Sequence, residues 1–100
     1  MSGRATITTP RELDVLTSND LLARVRQLDA GARAVDIDLR AVEFIDSFGL
    51  RSLMQADRLL RERSARPRFL VAPDGPVERL LQLTLLDSTL DVRVLEPPRS

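Results

Sequence analysis

The chain has 100 residues, which is room for one compact domain over residues 1–100 and little else. Hydrophobic residues make up 43% and charged ones 30%, an ordinary globular balance. Fifteen basic residues offset fifteen acidic ones for a formal net charge of zero, so the total charge gives no reason to expect nucleic-acid binding.

The missing residue types exclude more. There is no Cys, hence no disulfide framework, thiolate nucleophile or cysteine metal site. There is no His, which removes the usual general base, the Ser-His-Asp triad and the commonest metal ligand. With only Phe44, Phe48 and Phe69 as aromatic residues, the chain has few rings on which bases could stack. It is expected to need no cofactor and not to be an enzyme. All the basic residues are Arg, densest at Arg58, Arg61, Arg63, Arg66 and Arg68; such a group suits either an anion or a solvated helix end. No apolar run approaches the roughly 20 residues of a membrane span, and Met1 to Arg4 lead into polar Thr rather than a signal-peptide core. The chain is expected to be cytoplasmic, without membrane insertion.

In chain order, Ala5 to Thr9 is short and β-branched, an opening strand. Thr17, Ser18, Asn19 and Asp20 offer N-caps for a helix over about residues 18–30, with Leu21, Leu22, Val25 and Leu28 at helical spacing and Gly31 as the C-cap. Ala34 to Leu39 alternates strictly, so Val35, Ile37 and Leu39 share one strand face and Asp36 and Asp38 the other. Val42 to Ile45 is a second short apolar run. It leads into the longest helical pattern, with Leu50, Leu53, Met54 and Leu60 on one side and Arg51, Gln55, Arg58 and Glu62 opposite. Ser64 to Pro67 ends that helix ahead of a strand over Arg68 to Ala72. Pro76 sets the first turn of a third helix with Val77, Leu80, Leu81 and Thr84 in phase. Leu90 to Leu95 alternates as a last strand. Strands alternating with single helices give an α/β fold with a mainly parallel sheet, residues 1–4 and 96–100 being expected as flexible ends.

The informative junction is Glu43-Phe44-Ile45-Asp46-Ser47-Phe48-Gly49-Leu50, where a strand runs straight into a helix. Functional loops of parallel α/β sheets lie at the carboxyl ends of strands. Ser47 at a helix N-terminus lies beside unpaired backbone N–H groups and the positive end of the helix dipole, which favour an added phosphate. The spacing leaves a second reading open, in which Asp46 or Ser47 simply caps the helix and Gly49 permits close packing. A single Gly and no Lys exclude a P-loop, and no His exists to activate a nucleophile elbow. Asp36, Asp38 and Asp46 do not amount to a cation site, because no loop supplies the roughly six oxygens that a calcium ion takes.

The segment from Val35 to Thr84 resembles the STAS domain of bacterial anti-sigma-factor antagonists. With Glu12-Leu13-Asp14 as the upstream landmark, the resemblance spans about residues 10–95. Its most specific element is Asp46-Ser47-x-Gly49-Leu50, in which the family places its phosphorylatable serine after the Asp. Asp38-Leu39, the charged helix end Arg58 to Arg63, and Val77 to Thr84 agree in order and spacing. The chain departs from the family at Arg11, Ser64 and Leu85, where glycine is usual, and at Phe48, where Ser or Thr is common; its N-terminus is short for the family's opening pair of strands, and the usual C-terminal helix is absent. A large apolar residue at position 48 belongs either in the core or against a partner.

The resemblance implies a STAS-like (βα) superhelix with a small, mostly parallel or mixed sheet. It also implies an anti-sigma-factor antagonist that binds an anti-sigma serine kinase of the histidine-kinase-like ATPase fold and thereby frees a sigma factor. Phosphorylation of Ser47 would end that binding, and a PP2C-type phosphatase would restore it. On that reading Asp46 orients the Ser47 hydroxyl, and Asp14, Asp46, Ser47, Phe48 and Gly49 border the partner. Alternatives are a STAS subunit bound to the ATPase of a lipid-transport ABC system, and a non-switching scaffold module.

Overall fold

The structure is a computed structural model and describes residues 3–97. Strands β1 (Arg4–Thr8) and β2 (Glu12–Leu13) precede helix α1 (Val15–Arg26). Then follow β3 (Ala34–Asp38), β4 (Phe44–Ile45), α2 (Ser47–Glu62), β5 (Arg66–Val71), α3 (Pro76–Leu83), a 3₁₀ turn (Leu86–Ser88) and β6 (Val92–Val94). The main sheet has strand order β1-β3-β5-β6, and every pairing in it is parallel. β2 and β4 form a separate parallel pair. The fold is α/β, as the alternation of strands and helices predicts, and both opening strands are present.

The strict alternation of β3 explains the layering. Val35 and Ile37 join Ile7, Phe69 and Val71 on the sheet face that α1 and α2 cover with Leu21, Leu22, Val25, Leu53, Ala56 and Leu60. Each large apolar side chain so buried contributes roughly 1.5–3 kcal/mol. The other face carries charge. Asp36 accepts two bonds from the Arg68 guanidinium, at 2.8 and 2.9 Å, and one from Arg4 at 2.9 Å. Asp38 is held by Arg40 at 2.8 and 2.9 Å. Paired carboxylates of this kind let a strand bury one face and keep the other polar.

Several boundaries differ from the sequence reading, each for a local reason. Helix α1 starts at Val15 rather than near residue 18, because Asp14 is its N-cap. Val15 and Leu16 are exposed and stand outside the apolar stripe, so periodicity misses the first turn. Its C-cap is Gln27, not Gly31, whose N–H is taken by Asp29 Oδ1. On α2 the inward stripe is Gly49, Ser52, Leu53, Ala56 and Leu60, and Met54 points outward at 46% exposure. The small residues in that stripe let α2 lie close against α1. β5 begins at Arg66 and includes Pro67, whose missing N–H falls on the β6 side before β6 pairing starts at Phe69. Arg4 opens β1 and the Glu96 carbonyl accepts from Arg40, although both were expected in flexible ends; residues 1–2 and 98–100 of those ends lie outside the described residues.

Candidate functional site

Parallel pairing of β2 with β4 sets Glu12 opposite Phe44 and Leu13 opposite Ile45. The next residue in each strand is therefore an N-cap, Asp14 for α1 and Asp46 for α2. Two helices that pack along one another start side by side on one edge of the molecule. Both caps are built by the same chemistry, a carboxylate accepting from backbone N–H groups that have no partner inside the helix.

At Asp14 the cap is a full capping box. Oδ1 accepts from the N–H groups of Leu16 at 3.0 Å and Thr17 at 3.1 Å, and the Thr17 hydroxyl accepts from the Asp14 N–H at 2.9 Å. The Thr17 N–H bond, chief among these, holds the Asp14 carboxyl below its ordinary value of 3.8. The Asp14 carbonyl also accepts from the Ser18 hydroxyl. Asp14 is thus committed to starting α1. Its pattern, Asp followed three residues later by Thr, is a capping box that lies one turn ahead of the caps expected at Ser18 to Asp20.

At Asp46 the carboxylate accepts from the Gly49 N–H at 3.0 Å, and the Asp46 carbonyl accepts the first helical bond from Leu50 at 2.9 Å. Oδ1 of that carboxylate caps the backbone, and among the described residues Asp46 makes no hydrogen bond to the Ser47 hydroxyl of the kind expected from the resemblance. Ser47 is the first residue of α2 and is exposed. Among the described residues neither its hydroxyl nor the N–H groups of Ser47 and Phe48 have a hydrogen-bond partner. An exposed hydroxyl next to free N–H donors and the helix dipole can accept a phosphate without displacing any contact.

Phe48 is 50% exposed, which settles its position outside the core. Phe44 on β4 is 51% exposed, and Val15 and Leu16 on the first turn of α1 are exposed as well. Sequence reasoning singled out only Phe48 of these. Gly49, assigned to the partner face, is instead buried: a Cβ there would overlap the Leu13 carbonyl oxygen and stand 2.9 Å from Ile45 Cγ1. It acts by letting the first turn of α2 press on β2, and so fixes where Ser47 emerges. The site that results has one free hydroxyl, two capped helix starts and an apolar rim.

The Arg-rich end of α2 is not uniformly solvated. Arg63 reaches the end of α1 and donates to the carbonyls of Val25 and Leu28 at 3.1 Å and Asp29 at 2.9 Å. No group of acidic residues among those described has the arrangement of a metal site, and no helix is long and apolar enough to cross a membrane.

A search of curated proteins finds no match to the chain. A family model described as STAS domain matches residues 3–95, from the start of the described structure to just past β6. Together with the parallel sheet and the Asp46-Ser47 helix start, that match decides the family: the chain belongs to the STAS domain family.

Proposed function

We propose that the chain is an anti-sigma-factor antagonist that works as a phosphorylation-controlled binding module, with Ser47 as its phosphoacceptor. The observation that supports this most is the exposed Ser47 hydroxyl at the first residue of α2, free of hydrogen bonds among the described residues and flanked by half-exposed Phe44 and Phe48. An apolar rim around a polar centre suits a protein partner, since exposed apolar residues grouped on one face mark interaction sites.

In this reading the unphosphorylated face docks on a serine kinase of the histidine-kinase-like ATPase fold, and the sigma factor held by that kinase is released. ATP and magnesium belong to the kinase. The Ser47 oxygen attacks the γ-phosphorus, the bond to the β-bridging oxygen breaks, ADP leaves, and the hydroxyl proton passes to a base of the kinase. Asp46 and Gly49 keep the first turn of α2 in place, so that the acceptor oxygen is presented from a rigid backbone. Phosphoserine brings about −1.5 to −2 charges into the middle of the docking face. A PP2C-type phosphatase returns the serine by hydrolysis. The chain itself performs no catalysis in this cycle, and the cycle takes place in the cytoplasm.

The test is incubation with a candidate kinase of that fold and ATP, followed by intact-mass measurement and site mapping. One phosphate on Ser47, lost in Ser47→Ala, is the expected result. Undiminished labelling of Ser47→Ala moves the acceptor elsewhere. A chain that binds an ABC-type ATPase and is never phosphorylated overturns the switch in favour of a transport subunit.

A further inference from the structure

On α2, Arg51 follows Ser47 by one turn of helix, so the two side chains stand on the same face. Arg51 is exposed, and among the described residues its guanidinium has neither a hydrogen bond nor an ion pair. Its neighbours on the helix explain why. Ser47 and Phe48 lie one turn before it, Met54 and Gln55 one turn after, and none of them carries a charge. Of these side chains, Ser47 can acquire a negative one, by phosphorylation.

The same helix shows what an acid at that spacing does. Asp57 and Arg61 are also one turn apart, with the acid on the N-terminal side, and Arg61 Nε lies 3.0 Å from Asp57 Oδ1. Acid before base is the favourable order for such pairs. Helical side chains lean over the turn that precedes them, which carries the Arg51 guanidinium towards Ser47 and away from Arg58 farther along the helix. A phosphoserine side chain is longer than that of aspartate, so an arginine that reaches aspartate at this spacing also reaches phosphate oxygens. The planar N–H donors of a guanidinium match two of those oxygens at once.

We propose that Arg51 is the internal partner of a phosphate on Ser47, forming a clasp that closes when the serine is modified and holds the phosphate along α2. The inference rests on the reading of Ser47 as phosphoacceptor. Modification then changes the docking face twice, by adding the negative charge of the phosphate and by taking up the arginine beside it. The other charged side chains near this edge are Glu12, Asp14, Glu43 and Asp46, all of which repel the phosphate, and Arg11. The Arg11 carbonyl accepts from the N–H groups of Glu43 and Phe44, at the end of β4 away from Ser47. Glu78 and Arg79 of α3, which packs on β4, are engaged with the Asp74 backbone.

The test is phosphorus NMR of the full chain with phosphoserine installed at position 47 by genetic-code expansion, titrated across its second ionisation near pH 6. A nearby cation favours the dianion, so removing that cation raises the second pKa. Arg51→Gln should raise it by about 0.3 unit relative to the wild type, and Arg51→Lys, which keeps the charge, should retain part of the difference. Arg11→Gln should leave it unchanged. The Arg51 Nε–H signal should also move between the unphosphorylated and phosphorylated chains. A pKa that Arg51→Gln does not raise, or an Arg51 signal that the phosphate does not move, overturns the clasp and leaves the phosphate to the backbone N–H groups or to water. A rise on Arg11→Gln in place of Arg51→Gln overturns it in favour of Arg11. The phosphate enters without a kinase, so a chain that no kinase labels counts against the reading of Ser47 and not against the pairing.

Discussion

Gly49 on α2 lies so close to Leu13 on β2 that a Cβ at position 49 would overlap the Leu13 carbonyl oxygen. The neighbouring Asp46 N–H donates to that same oxygen at 3.3 Å. One backbone carbonyl therefore sets both the height and the angle at which α2 begins. Gly49→Ala forces backbone from backbone, and the overpacking outweighs the roughly 1 kcal/mol of helix propensity that Ala adds. The expected net loss is about 1–3 kcal/mol in urea unfolding, with poorer phosphorylation of Ser47 because the first turn is displaced. A variant as stable as the wild type would mean that α2 can shift freely on β2.

Arg63 joins the end of α2 to the end of α1 through three main-chain carbonyls. A guanidinium there satisfies acceptors that the helix leaves open and faces the negative end of the α1 dipole. Arg63→Ala should cost about 1–2 kcal/mol, measured by urea unfolding. Arg63→Lys, lacking the forked donor set, should recover only part of it.

Ser64 has φ 62°, in the left-handed region, directly after Arg63. It is the turn that ends α2, where glycine would take the left-handed backbone without steric cost. Ser64→Gly removes a penalty of about 1–2 kcal/mol and adds unfolded-state entropy of about 0.4–1 kcal/mol. A net gain of about 0.5–1 kcal/mol is expected from these terms, visible as a higher melting temperature. A lower one would show that the Ser64 side chain matters to the turn.

Acid should weaken the fold through the polar face of the sheet. The Arg68 guanidinium, aided by Arg4, holds the Asp36 carboxyl below its ordinary 3.8, and Arg40 does the same for Asp38. A carboxyl depressed in the folded state contributes stability above its unfolded value, and that contribution is lost as the pH falls through the folded value. Melting temperature should therefore change little from about pH 7 to 5 on account of these groups and fall below about pH 4. Asp36→Asn should flatten that acid slope. A slope that Asp36→Asn leaves unchanged would place the acid sensitivity in other groups.

The parts of the fold legible in the sequence are those where one local pattern had no competitor. The alternation of Val35, Ile37 and Leu39 gave the central strand and its buried face, and Asp46-Ser47 gave the start of α2 with an exposed serine at its first residue. The first turn of α1 was hidden because Val15 and Leu16 are apolar yet exposed, so periodicity delays the helix by a turn. Pro67 reads as a breaker unless the offset of β6 is known. The contacts of Arg63 and the burial of Gly49 depend on residues roughly 35 positions away in the chain, which no local pattern encodes.

The most direct measurement is calorimetric binding of unphosphorylated and Ser47-phosphorylated chain to the purified kinase, with circular dichroism to verify that both are folded. The phosphate should leave the fold intact, because the helix dipole favours it by roughly 0.3–1 kcal/mol. At the interface, a partner carboxylate about 6 Å away at an effective dielectric of about 40 opposes each added charge by about 1.4 kcal/mol. About two charges then weaken binding by roughly 30- to 150-fold. Ser47→Asp should show part of that loss, and Ser47→Ala should bind and stay bound in the presence of ATP. Equal affinity of the phosphorylated and unphosphorylated chains would contradict the switch.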